Sequence, residues 1–244
     1  MKEGTRYAVR IKEAYAKLRK SVGSPEVAEL DDPLRRLAIS IFAGVSNEQT
    51  GRKAVEQALE TMFDWNEIRI STPAEILAAT GYDGPDGAAL CRNLAAALES
   101  VYDRENKICL DHLTTMPRRE ARHYLEQTEG VDAFVRASVI LWSLGGHSIP
   151  VDDALLEGLR SADLVHPAAS RAEVQAFLER HISAAEAKEF CIVMRSIAKT
   201  TKVRPKKSGA QASKTKKKKS KTKKKSKTKT TPSGTKKETR SKKK

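Results

Sequence analysis

Cysteine is scarce in this chain: three residues, Cys91, Cys109 and Cys191, are scattered through 244 positions. An odd, widely spaced set argues against a disulfide framework and for a reducing compartment. Long apolar runs are missing too. The richest patch, Ala137 to Leu144, falls far short of the roughly 20 residues a membrane-spanning helix needs. Met1 to Lys20 carries charges throughout and lacks the apolar core of a signal peptide. Strand signals are nearly absent, since Ile68-Arg69-Ile70 and Ile108-Cys109-Leu110 are short and unpaired. The five histidines, His112, His123, His147, His166 and His181, show no metal-ligand spacing with each other or with cysteine. These absences describe a soluble intracellular protein with no metal or cofactor and no membrane contact.

What is abundant is positive charge, in one place. The stretch from Lys199 to Lys244 holds 22 of the 46 basic residues and one of the 31 acidic ones, Glu238. The remaining 24 basic and 30 acidic residues give the body a net charge of −6, so the overall +15 belongs to the tail. With almost no apolar residue, the tail cannot bury enough surface to offset the entropy of ordering, and it is expected to be disordered. A polycation this dense condenses on nucleic acid by counterion release without reading bases. Solubilising or targeting roles are the plainer alternatives. Residues 1–198 are expected to form one folded domain, and 199–244 a basic tail.

The body reads as helix after helix. Asp32-Pro33 opens a helix with Leu34, Leu37, Ala38, Ile41 and Phe42 on its apolar face, stopped by Gly44. Ser46 and Gln49 suggest a capping box before Val55, Ala58, Leu59, Met62 and Phe63. Thr72-Pro73-Ala74-Glu75, Ser170-Arg171-Ala172-Glu173 and Ser183-Ala184-Ala185-Glu186 are further boxes, and Asp86 is the expected cap of the helix bearing Leu90, Leu94 and Leu98. The fold class is all-α, with no repeat of fixed period to suggest a solenoid.

Two local patterns carry the chemistry. Thr128-Glu129-Gly130-Val131-Asp132 turns between two helices. Gly130 permits positive φ and close backbone approach, while Val131 plugs the core. Beyond the second helix, Pro150-Val151-Asp152-Asp153 opens a third. The plain reading of the first is an αα-hairpin whose second helix Asp132 caps. The plain reading of the second is a helix cap above Leu155, Leu156 and Leu159.

From Tyr124 to Val165 this order resembles the helix-hairpin-helix DNA glycosylases of base-excision repair, the endonuclease III branch above all. Weaker agreement reaches from about Asp32 to Lys199. The resemblance implies a two-lobed helical fold with duplex DNA, carrying damage, in the cleft between lobes. One lobe would run from about Asp32 to Asn106, and the other would join the N-terminal helix to the helices after Leu110. It implies that Gly130, Val131 and Asp132 form the phosphate-gripping hairpin and that Asp152 is the catalytic carboxylate. A monomer located in the cytoplasm on the nucleoid, or in the nucleus of a eukaryote, is the matching expectation.

The sequence departs from that pattern in four ways. Asp132 replaces the hairpin's second glycine, and its charge would repel a phosphate. Phe134 stands where the bifunctional enzymes carry the nucleophilic lysine, and no lysine occurs between Lys107 and Lys188. Arg136 is near in sequence but stays protonated and cannot attack. The lesion-binding glutamine has no clear counterpart in Phe42-Ala43-Gly44-Val45-Ser46-Asn47, and the four closely spaced cluster cysteines are missing. His147 reads as a loop histidine in solvent.

Two readings follow: a monofunctional DNA N-glycosylase without lyase activity, or an inactive DNA-binding scaffold of the same fold. A helical protein unrelated to DNA is a third. If the tail dominates DNA affinity, log Kd plotted against log salt should be steep, about 0.9 per phosphate neutralised. Deleting the residues after Lys199 should flatten that slope and weaken binding in an anisotropy titration across a salt series. Unchanged binding would refute the assignment.

Overall fold

Capping chemistry sets most helix starts in the computed structural model, which describes residues 4–23 and 30–200. The lysine-rich tail lies outside the described residues. Eleven α-helices and one 3-10 turn, Asp111–Thr114, account for the regular structure described, and no strand is present among these residues. The helices are α1 (Gly4–Val22), α2 (Pro33–Ala43), α3 (Glu48–Thr61), α4 (Trp65–Ile70), α5 (Pro73–Thr80) and α6 (Gly87–Glu105). Then follow α7 (Arg118–Glu126), α8 (Ala133–Trp142), α9 (Asp153–Ser161), α10 (Arg171–His181) and α11 (Ala187–Thr200).

Asp32 caps α2 through the Arg35 amide with Pro33 in the first turn, and both Thr72–Glu75 and Ser170–Glu173 close reciprocal capping boxes. Four local expectations fail, the first being the box at Ser183–Glu186, which lies before α11 because that helix starts at Ala187. Asn47, not Ser46, caps α3, because the Ser46 hydroxyl donates back to the Phe42 carbonyl at 2.6 Å. Asp86 takes a left-handed backbone with φ 59° and makes no side-chain cap. Phe63 lies outside α3, which stops at Thr61, and is 93 % exposed rather than part of its apolar face. Ile68 and Ile70 belong to α4, where Asp64 accepts from the Asn66 and Glu67 amides.

Two apolar cores form. One gathers Leu37, Phe42, Ile68, Ile76, Leu94, Leu98 and Val101 with Leu110, Leu125, Phe134 and Val139. The other gathers Ile11 and Tyr15 of α1 with Leu141, Ile149, Leu159, Val174, Leu178, Phe190 and Met194. The first lobe therefore extends well past Asn106, taking in α7 and most of α8. The division falls inside α8, between Ile140 and Leu141. Seven of the ten α8 residues are buried, as expected for a helix apolar on nearly all sides.

The start of α2 is tied to the end of α8 by the Asp31 amide, which donates to the Trp142 carbonyl at 3.1 Å. Beside it Arg36 is buried and fully engaged. Its Nε donates to Asp31 at 2.7 Å, its NH1 donates to both Glu48 oxygens, and its guanidinium lies 5.7 Å from the Trp142 ring centre. Lys188 of α11 approaches the same ring at 5.6 Å. Arg36→Ala would leave two carboxylates facing each other over a cavity. The expected cost is about 2–3 kcal/mol, below the 3–5 of a fully buried pair because Asp31 and Glu48 stay partly hydrated. A urea unfolding curve measures it.

Candidate functional site

The helix α7 ends on a hairpin that only glycine can make. Gly130 has φ +72°, and a Cβ there would lie 2.1 Å from the Asn93 carbonyl oxygen of α6. The turn is fastened to α6 on its other side. Arg104 donates to the Tyr124 carbonyl at 3.0 Å and to the Gln127 carbonyl, and stacks over the Tyr124 ring. The buried Thr128 hydroxyl donates to the Tyr124 carbonyl at 2.9 Å, and its own carbonyl accepts from Val131. Val131 packs against the first core. Among the described residues, the amides of Gly130 and Asp132 meet no protein acceptor.

Asp132 caps α8, accepting from the Val135 amide at 2.8 Å. Its side chain is 59 % exposed, and its second oxygen lies 3.8 Å from Arg171 at the start of α10. Arg171 also donates to Asp153 at 2.6 Å. A single guanidinium thus spans the starts of α8 and α9 and offsets part of the charge Asp132 brings to the hairpin.

The two adjacent aspartates have different surroundings. Asp152 is buried, only 4 % exposed, and caps α9 as well. One oxygen accepts from the Leu155 amide at 2.7 Å, while the other faces Arg195 of α11 at 3.3 Å. Asp153 points outward, with its side chain 76 % exposed. Arg195 is a residue the sequence reading missed, because nothing in its own helix marks it. It stands between the carboxylate and Phe134, whose ring centre is 5.9 Å from its guanidinium carbon.

Phe134 is buried on α8 and fills space from the other side. A Cβ on Gly44 would meet its ring at 3.0 Å. Gly44 ends α2 with an ordinary φ of −63°, so its small size matters here as clearance for the ring, not as backbone freedom. Asn47 is occupied as the α3 cap, and Val45 is half exposed. The arrangement contains a carboxylate, a guanidinium and an aromatic ring, and no amine.

The loop before Asp152 is held by Glu179 of α10, which accepts from the Ser148 hydroxyl at 2.7 Å and the Ile149 amide at 3.1 Å. His147 is half-buried rather than in solvent, and its Nε2 has no partner. Gly146 presses on Ile140 and folds the loop back over α8. Cys191 is buried behind Arg195, and burial pushes its thiol up to about 12, so it stays protonated. Among the described residues no group of three or more His, Cys, Asp or Glu side chains could hold a metal ion. One buried thiol does not fit an iron–sulfur cluster. No described helix is long and apolar enough to cross a membrane.

Two apolar cores sharing α8, a glycine hairpin between α7 and α8, and a carboxylate at the start of α9 make the helix-hairpin-helix fold of the DNA glycosylases. Among solved structures, the chain is similar to an endonuclease III in a trapped covalent complex with DNA. The identity is 16 % and the TM-score 0.61, over 77 % of this chain and 84 % of that one. The 8-oxoguanine glycosylase/lyase of Clostridium acetobutylicum, bound to duplex DNA with cytosine opposite the lesion, gives 13 % and 0.62, over 82 % and 72 %. A thermostable thymine-DNA glycosylase gives 13 % and 0.58, over 80 % and 89 %. At these identities the likeness establishes the fold. No family model matches the chain, and no characterised protein matches it in sequence.

If the hairpin amides take a phosphate, Asp132→Gly removes a negative charge beside them, and DNA affinity of the chain lacking its tail should rise several-fold in an anisotropy titration. The lost cap should cost a few tenths of a kcal/mol in thermal unfolding. Weaker binding would show that Asp132 does not compete with DNA.

Proposed function

We propose that this protein binds duplex DNA in the manner of the base-excision-repair glycosylases and releases a base by hydrolysis, as a monofunctional N-glycosylase. The observation that carries the reading is Asp152, a carboxylate held at a helix start and facing Arg195, with no lysine amine among its partners. A carboxylate there stabilises the cationic sugar as the base departs and directs a water to C1′. The water oxygen bonds to C1′, the glycosidic electron pair leaves with the base, and the water's proton passes to the surroundings. Without a nitrogen nucleophile no Schiff base forms, so strand cleavage is not part of the reaction. The family-level role in DNA repair rests on the shared fold. The folded unit is residues 1–198, with 199–244 as the polycation that adds phosphate attraction.

One observation favours a second reading, a DNA-binding scaffold that has lost the chemistry. Arg195 already takes the oxygen of Asp152 that faces away from the helix cap, and so little of the carboxylate is exposed that substrate must displace the guanidinium. The scaffold predicts DNA binding with no base release.

A panel of damaged duplexes separates the two. Under the enzyme reading base release is seen, borohydride traps no covalent adduct, and Asp152→Asn abolishes release while leaving DNA affinity intact, because the carboxylate acts on transition-state charge. A trapped adduct that survives deletion of the tail would overturn the monofunctional assignment. No release from any duplex would select the scaffold.

A further inference from the structure

Most arginines of the described body are spoken for. Arg10, Arg19, Arg35, Arg36, Arg52, Arg69, Arg136, Arg160, Arg171 and Arg195 each face a carboxylate, and Arg104 binds carbonyls. Five make no hydrogen bond or ion pair among the described residues: Arg92, Arg118, Arg119, Arg122 and Arg180. Four of these five sit around the hairpin. Arg118, Arg119 and Arg122 belong to α7, the helix that leads into it, and Arg92 precedes the Asn93 carbonyl on which Gly130 rests.

The placement on α7 is directional. At 100° per residue, Arg118, Arg122 and Arg119 fall within an arc of about 100°, and Glu120 lies about 100° beyond its edge. Ala121 and Leu125 bury the face that borders the Arg118 edge of this arc. Glu126 shares the arc one turn on, but it lies 3.7 Å from Arg136. In a body whose charge is −6, unpaired guanidinium groups lose Coulomb energy that nearby carboxylates would supply, and three on one helix repel one another. Such a cluster fits a polyanion. The stretch from Arg118 to the helix end is about 12 Å long, the rise of three to four nucleotides of one strand in B-DNA. It runs directly into the free amides of Gly130 and Asp132.

We infer that Arg92, Arg118, Arg119 and Arg122 form a guanidinium track that binds successive phosphates of one strand of duplex DNA, continuing the hairpin's contact away from Asp152. The inference rests on the duplex-DNA reading but not on base release. Guanidinium forks match phosphate oxygens two at a time, which makes arginine the suited cation. The track gives the acidic body its own grip, so contact with DNA does not depend on the tail alone.

The test uses the full chain, arginine-selective modification with phenylglyoxal, and mass spectrometry to read each site with and without an undamaged 20-base-pair duplex. Arg92, Arg118, Arg119 and Arg122 should be protected severalfold, while Arg180, exposed on α10, should not. The triple change Arg118→Gln, Arg119→Gln, Arg122→Gln should lower the salt slope of DNA binding by about two to three phosphate contacts, at about 0.9 each. Arg180→Gln should leave the slope unchanged. Equal modification of all five arginines with and without duplex overturns the track, as does protection by single-stranded RNA but not by duplex DNA. Protection without base release from any lesion defeats the glycosylase reading and leaves the track standing. Base release with no protection does the reverse.

Discussion

The carboxylate of Asp152 is a charge almost removed from water, and it persists only because two elements meet on it. Desolvating a carboxylate costs several kcal/mol unless hydrogen bonds and an opposite charge replace the lost hydration. Here the first turn of α9 supplies an amide and α11 supplies Arg195. That requirement fixes the approach of α11 to α9, and Arg195 in turn lies against Phe134 of α8. Phe134 then needs the clearance that Gly44 leaves at the end of α2. One buried charge thus sets the mutual positions of four helices from both cores.

The same chain of contacts gives Phe134 a definite place beside Arg195. A lysine at position 134 would bring a second cation beside Arg195 and Asp152. A buried ring there avoids that repulsion and lets Arg195 be the partner of the carboxylate. A larger residue at position 44 would collide with the ring. The residues at 134, 44 and 195 therefore fit one another sterically and electrostatically.

Charge is distributed with equal economy around the hairpin. Asp132 brings a negative group to the start of α8, where it caps the helix. Arg171 answers it and ties the start of α8 to that of α9. The hairpin itself is held by Arg104 and by the contact of Gly130 with α6, so its free amides are presented by a rigid frame rather than a loose loop.

The all-helical class, the cap at Asp32, the boxes at Thr72 and Ser170, and the glycine turn at Gly130 were legible in the sequence, since each depends on neighbours within a few positions. Local hydrogen bonds and the 3.6-residue period write such features directly into residue order. The likeness to the glycosylases was legible for the same reason, because hairpin and aspartate lie within one contiguous stretch. The extent of the first lobe was not, because which core a helix joins depends on contacts far away in the chain. Arg195 was invisible as a site residue, lying 43 positions from Asp152 with no motif around it, and Gly44 was legible as a helix stop but not as clearance for the Phe134 ring. Whether Asp152 or Asp153 turns inward was decided by Arg195 and Arg171, which bind one each. The sequence by itself determined which groups exist and where helices begin. Tertiary packing decided which carboxylate is buried, what neutralises it, and which arginines are left facing solvent, because burial and charge pairing are properties of distance in space.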